Sequence, residues 1–538
     1  MKTLRIHIAD DGETLIKIAK KYHVDLEELI YHNPLIVNPA VHIRGMQVNL
    51  PPFSLESRNP VTNAHSAAPQ YPPPWIPLVS LEQMAETEYD VLIVGTGAGG
   101  GAVIWRLCEQ WGKNEKRIGI IEAGDLLIPT HRDNIPTASF TGAIWSDPEV
   151  VVDIGKILPE FSGAKKILGL GGRTLQWGTA SPRMPQSELE DWPVTAKELE
   201  VYYNIAEEVM NVTLLHSKDS ALQKAVLERL RENGFPEATT APAAVDHDPK
   251  KRVPSYGAFS SILFLALGLI YKPFDLAVKT RAVQVLTEQG KTVGLKVISS
   301  DKRSYALRAK TVVLSTSTLE TPRILLHSGI PGRAIGHYLQ PHAFIHGVGI
   351  VNINELWNGL GGVSVWVPQT DDRPYGIHMW GGGSKESPLE AEREIGMNFF
   401  GAIEPRFENK VMLTPGDLDD YGVPRIRVAF SYSEKDQAVI RQMLDGVNKA
   451  ALAMQARLSS KELMPPGSDY HESGTCRMGD DPLTSATDRY GQIHGVSGLY
   501  VADNSVIPTL GGTSPTLTTV ALAIRTADHI IQRSNVQE

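Results

Sequence analysis

Gly95, Gly97 and Gly100 form a G-x-G-x-x-G directly after the apolar run YDVLIV, and Glu122 closes the next apolar run, RIGII. Glycines in that turn let the backbone approach a pyrophosphate at a helix N-terminus, while an acid at the end of the following strand takes the ribose hydroxyls. Strand, glycine turn, helix, strand and acid in this order predict a dinucleotide site. The motif serves NAD and FAD alike and does not separate them. A second helix start is predicted far downstream in GGTSPTLTTVALAI, residues 511 to 524. There Ser514 is placed to accept a bond from an early backbone N–H, and Pro515 fits the first turn without losing a needed donor.

The rest of the chain must position these groups. At 538 residues it exceeds one core and should form two or more domains. A composition of 42% hydrophobic and 21% charged residues is that of an ordinary soluble protein. The net charge of −9, with no basic stripe, argues against nucleic acid as a partner. Two cysteines, Cys108 and Cys476, exclude a disulfide framework and are expected as buried free thiols. MKTLRIHIADD lacks the apolar core of a secretory signal, which predicts a cytoplasmic protein. The longest apolar run, ILFLALGLIY at 262 to 271, is about half a membrane span and predicts a core element or a pocket wall.

Residues 1 to 51 read as strand, helix, helix, strand, from TLRIHIA through DDGETLIKIAKKY and VDLEELIYHN to HIRGMQVNLP. This order, with its GETL turn and NP, resembles a LysM module over residues 3 to 51. The resemblance implies binding of N-acetylglucosamine polymers and hence a cell-wall association; a packing appendage is the other reading. Residues 52 to 87 are rich in proline and predict an extended linker.

Five further blocks carry a second resemblance: ILGLGGRTLQWGTASPRM, AKTVVLSTSTLETPRILLHSG, HESGTCRMG, HGVSGLYVADNSVIPT and GGTSPTLT. In this order they resemble the glucose–methanol–choline (GMC) oxidoreductases, FAD enzymes that oxidise alcohols, over roughly residues 88 to 538. IGHYLQPH is similar to the family's GxxLxDH segment, and EPRFENKVML with DDYGVPRIRVAF is most like the pyranose oxidase branch. The resemblance implies an α/β fold. A Rossmann-like FAD domain from 88–190, 272–334 and 466–538 would be interrupted by a substrate domain, 191–271 and 335–465, on a mainly antiparallel sheet.

The resemblance also implies roles. His471 matches the active-site histidine, which takes a hydroxyl proton while hydride leaves the adjacent carbon for the flavin; an imidazole suits this because it titrates near working pH. The family's partner position, usually histidine or asparagine, is here Ser514, with Thr513 as the other candidate. A serine lacks the two amide donors of asparagine. Gly172, Thr174, Gln176, Trp177, Asp503, Pro515 and Thr516 fall at positions that border the flavin in the family. Gln176 stands where some relatives tether the flavin through histidine, so FAD is expected without a covalent link. The implied substrate is a sugar or glycoside, and the implied electron acceptor oxygen or a quinone-like compound. Two rival readings are a glycan-binding protein with a degenerate flavoprotein domain and a redox-neutral FAD lyase. His342 and His346 have the i, i+4 spacing of a metal pair but no third ligand near them in sequence, so no metal is predicted. His494 reads as a structural contact, and no GxSxG or HExxH motif supports a hydrolase.

Overall fold

The structure is a computed structural model and describes residues 5–22, 24–33, 36, 38–50, 74–135, 137–154, 160–246, 257–352, 361–381 and 391–536. It divides into two units, residues 1–73 and 74–538.

The small unit has the expected order. The strands Arg5–Ile8 and Gln47–Leu50 pair antiparallel, and the helices Leu15–Tyr22 and Leu26–Tyr31 lie between them in the chain. Leu15, Ile18, Leu29 and Val48 form its core. Asn33 bonds its amide to the carbonyls of Leu29 and Asn49 and accepts the Asn49 N–H, fastening the second helix to the second strand.

The large unit is built on two sheets. The first has seven strands, in the order 275–277, 118–121, 88–94, 304–314, 291–299 and 280–288, with 499–501 paired beside 304–314. The strands 275–277, 118–121, 88–94, 304–314 and 499–501 run parallel, and the remaining two extend the sheet antiparallel. The parallel strands read as unbroken apolar runs because both faces are covered, and Ile118–Ile121 is buried throughout. The helices Ala98–Trp111 and Thr516–Val536 pack together over this sheet.

The second sheet is antiparallel throughout, in the order 457–463, 343–352, 392–401, 375–381, 363–367 and 239–240. The strand Ala343–Asn352 alternates buried and half-buried residues. Its inner face meets the helix Glu434–Ala453 through Ile345, Met443 and Val447, the pattern of a sheet with one face on the core.

Three local expectations resolve differently. Within the expected linker, residues 51–73 lie outside the described residues, while 74–87 fold onto the large unit. Ile76 is buried there, Val79 N–H bonds to Leu276 O at 2.8 Å along the sheet edge, and Ser80 with Gln83 makes a capping box for the helix Leu81–Glu86. The helix Ala196–Val209, capped by the Thr195 hydroxyl, packs Leu199, Tyr203 and Ala206 into the core of the first sheet. So does the ILFLALGLIY run, a helix over Ile262–Tyr271 lying against Ala98–Trp111. Of the segment 191–271, the short strand Thr239–Thr240 joins the second sheet, and the helix Ala221–Glu232 packs Leu222, Val226 and Leu230 into that sheet's core. Both cysteines are buried and free, and burial pushes the Cys108 thiol up to about 12 and the Cys476 thiol higher still.

Arg525 is 2% exposed on the last helix, one of the largest buried side chains in the molecule. Glu198, on the helix Ala196–Val209, reaches its Nε at 2.8 Å and its Nη2 at 2.6 Å, and the Arg489 carbonyl accepts from its Nη1. A buried guanidinium left without its carboxylate is costly, so Glu198→Ala is expected to lower stability by about 3 kcal/mol. Guanidinium unfolding curves of the two proteins measure the difference.

Candidate functional site

At the carboxyl ends of the parallel strands, where open α/β sheets hold ligands, lies a cleft of about 1270 Å³, partly open to solvent. Its floor is the glycine turn. Gly95 has φ +94, and a Cβ there would fall 2.3 Å from the Ser315 carbonyl oxygen. At Gly99 a Cβ would fall 1.7 Å from the Ala502 carbonyl oxygen, and at Gly100 1.9 Å from that of Gly95. Gly97 differs, with nothing within 4 Å of its Cβ position. It is the N-cap of the 14-residue helix Ala98–Trp111 and supplies no side-chain cap. Unpartnered N–H groups and the positive end of the helix dipole therefore face a space from which side chains are absent, a fit for a phosphate.

The other predicted positions fall around this space unevenly. Gly95, Gly97 and Glu122 line the cleft, as do Gly172, Thr174 and Trp177 from the second glycine-rich block. Gly172 and Gly97 face each other, and the Thr96 hydroxyl accepts the Gly171 N–H at 2.9 Å to join the two loops. Thr516 and Asp503 line it as well. Gly100 packs behind Gly95; Gln176 accepts from Arg132 at 3.4 Å, and Pro515 offers its carbonyl to Thr519.

The two carboxylates differ in what they have left to offer. Glu122 accepts the Thr96 N–H, the Thr96 hydroxyl and the Gly124 N–H. Burial pushes its carboxyl up, against those three bonds. Asp503 accepts from Ser317 N and the Thr321 hydroxyl on one oxygen and from Ser505 N and hydroxyl on the other. With about four acceptor positions on a carboxylate, it is committed to holding its own loops; Ser317, in the left-handed region at φ +88, is one of the residues it holds.

His471 stands beyond the cleft in a loop fastened to the cleft's wall by Arg173, a residue the sequence reading passed over. Arg173 lines the cleft. Its guanidinium donates to both Glu472 oxygens at 2.6 and 3.1 Å, to Tyr470 O at 3.0 Å and to Lys165 O at 2.8 Å. Burial works against its charge, yet Glu472, Tyr470 and Asp469 outweigh that and hold it above its ordinary value. His471 is 18% exposed, and its ring centroid lies 5.1 Å from that of Phe400. Burial pulls its imidazole down to about 3, helped by His342, Arg173 and His378 and opposed by Asp469.

The loop before the last helix reaches the same place. A Cβ on Gly512 would lie 2.8 Å from the Phe400 carbonyl oxygen, so residues 511–514 run along the residue whose ring meets His471. Thr513 and Ser514 are buried, and among the described residues neither hydroxyl makes a hydrogen bond. Ser514 is thus not the cap it was expected to be. The helix starts at Thr516, its first bond runs from Thr519 N to Pro515 O at 2.8 Å, and the Thr519 hydroxyl turns back on the same carbonyl.

His342 and His346, which have the i, i+4 spacing of a metal pair, separate. His346 Nδ1 meets Asn398 Oδ1 at 2.8 Å, whereas His342 faces Asp469 and His471. His494 Nε2 contacts the Ser485 hydroxyl at 3.0 Å.

This chain is similar to known proteins. The GMC oxidoreductase family profile matches residues 270–344 and 405–523. The C-glycoside 3-oxidase of Microbacterium trichothecenolyticum is 29% identical over 388 residues, covering 67% of this chain and 75% of that protein. The pyranose 2-oxidase of Tricholoma matsutake is 24% identical over 413 residues, covering 67% and 72%. Among solved structures, pyridoxine 4-oxidase from Mesorbium loti superposes with a TM-score of 0.61 at 18% identity, over 82% of this chain and 99% of that one, a likeness of fold.

Gly97 and Gly99 separate ligand binding from folding. Gly97→Ala should leave the melting temperature of the ligand-free protein unchanged while lowering the amount of nucleotide cofactor that copurifies. Gly99→Ala, which drives a methyl into the Ala502 carbonyl, should fail to yield folded protein. Absorbance of the purified proteins and thermal melts measure both.

Proposed function

The chain belongs to the GMC oxidoreductase family, enzymes that bind FAD and act on CH–OH groups, and we propose that it oxidises a ring alcohol of a sugar or glycoside with His471 as the base. The observation that carries this reading is the Arg173 clamp. One guanidinium both lines the dinucleotide cleft and holds the residues on either side of His471. The similarity to the C-glycoside 3-oxidase and the pyranose 2-oxidase supports the sugar or glycoside class. The βααβ order of the small unit supports reading it as a LysM-like binder of N-acetylglucosamine polymers.

Bound FAD supplies the two-electron acceptor. The chain's own residues would hold it through the bare N-terminus at Gly97, through Glu122, and through the Thr174 and Thr516 side of the cleft. His471 Nδ1 is turned toward His342 and Asp469, leaving Nε2 to take the alcohol proton. Ser514 and Thr513 supply hydroxyls with no partner among the described residues, suited to orient the substrate oxygen. The partly apolar wall formed by Phe400 keeps water from competing for the base.

His471→Asn should slow anaerobic flavin bleaching by sugars and glycosides about 10²–10⁴-fold, as expected for loss of a general base. A variant that bleaches at the normal rate refutes the role. Gln176, a carboxamide, cannot make the histidyl link to flavin. Acid precipitation of the holoprotein should therefore leave the yellow colour in the supernatant, and a yellow pellet overturns the expectation.

A further inference from the structure

Behind the proposed base lies a buried pair, His342 at the end of the IGHYLQPH block and Asp469. His342 directly precedes the strand Ala343–Asn352, and Asp469 stands two residues before His471. Both side chains are 0% exposed. Asp469 Oδ2 lies 3.1 Å from His342 Nδ1 and accepts the His342 backbone N–H at 3.0 Å. His471 Nδ1 lies 3.2 Å from His342 Nδ1 and 3.9 Å from the same Asp469 oxygen. The remaining polar atoms of the pair, His342 Nε2 and Asp469 Oδ1, have no hydrogen-bond partner.

A carboxylate sealed away from water is expensive unless its charge is answered. Here burial pushes the Asp469 carboxyl up, but the hydrogen bond and charge of His342 and the charge of His471 outweigh it and hold Asp469 below its ordinary value. The answering groups are thus imidazoles, one of them the base. Two facing ring nitrogens can share one proton as a hydrogen bond. When both carry a proton they repel, and a carboxylate beside them relieves the repulsion.

We propose that Asp469 and His342 are positioning residues for His471. They keep its proton on Nδ1, donated to an unprotonated His342 Nδ1 while Asp469 holds the His342 backbone N–H, so that Nε2 presents a lone pair to the alcohol, and the Asp469 charge stabilises the imidazolium formed when the O–H proton arrives at Nε2. This rests on the reading of His471 as base. In the step, the alcohol O–H bond breaks and an N–H bond forms at Nε2, while the hydrogen on carbon leaves with its electron pair to the acceptor the family's activity supplies. The other groups facing His471 are Arg173 and His378, and both work against its protonation. Around Asp469 stand Glu472, already paired with Arg173, and Tyr432, whose hydroxyl is pushed up by burial and then by Asp469. Asp469 is the one neighbour that favours the imidazolium of His471.

The test uses the flavin-loaded full chain, labelled with ¹⁵N in its histidine rings, with His471→Asn identifying the His471 signals. In the unaltered protein His471 should be the Nδ1–H form. In Asp469→Asn it should shift to Nε2–H or a mixture. His342→Gln is a second variant with the same expected direction, should the first not fold. Stopped-flow flavin reduction by D-glucose or methyl glucoside should then be at least about tenfold slower in Asp469→Asn. Asp469→Glu should recover part of both effects. An unchanged tautomer in Asp469→Asn overturns the proposal, whatever the kinetics. A normal reduction rate in His471→Asn overturns the base reading instead, and the tautomer measurement still judges the pair.

Discussion

Everything at the site depends on how closely one helix sits against two strands. Ala98–Trp111 begins under the carbonyls of Ser315 and Ala502, so near that Gly99 has no room for a single carbon. Those carbonyls belong to segments more than two hundred and four hundred residues further along the chain. Backbone in contact with backbone leaves the helix no freedom to slide, and the N-terminus at Gly97 is aimed by that contact. Thr96 and Ser261 then draw the second glycine loop onto the first, with the Ser261 hydroxyl donating to Thr96 O at 2.6 Å. The cleft is what remains between rigidly joined pieces.

Arg173 carries that rigidity outward. A cofactor cleft and a catalytic loop made from distant chain segments could each be well formed and still be misplaced relative to one another. A planar guanidinium with its donors satisfied by Glu472, Tyr470 and Lys165 fixes distance and orientation together, as a lysine at the same place could not. The second sheet contributes from the opposite side. Phe400 supplies the ring against His471 and the carbonyl against Gly512, so the substrate-facing wall and the loop before the last helix share one residue as reference point.

What the sequence makes legible follows from how local each interaction is. The glycine turn, the acid at Glu122 and the βααβ order of the first fifty residues are short-range patterns, and the structure has them. Arg173 meeting Glu472 spans 299 positions, and Asp469 meeting His342 spans 127, so no spacing rule discloses either pair. Asp503 lines the cleft where the resemblance places it. Its neighbourhood was identified, but whether a carboxylate faces a ligand or holds its own loops depends on four hydrogen bonds that only folding assembles. Ser514 was read as a cap from its neighbours in sequence, yet the helix begins two residues later and leaves the hydroxyl free. The proline-rich stretch looked like a linker to its end because composition does not register that Val79 finds an open sheet edge beside Leu276.

The two cysteines have a bearing on endurance. Cys476 lies five residues after His471, and Cys108 on the helix that begins at Gly97. Were oxygen to reoxidise the flavin, hydrogen peroxide would be released at every turnover. Peroxide attacks thiolates far faster than thiols, and both sulfurs are sealed from solvent and held protonated by that burial. An oxidase with this interior would resist self-inactivation at sulfur without any scavenging device.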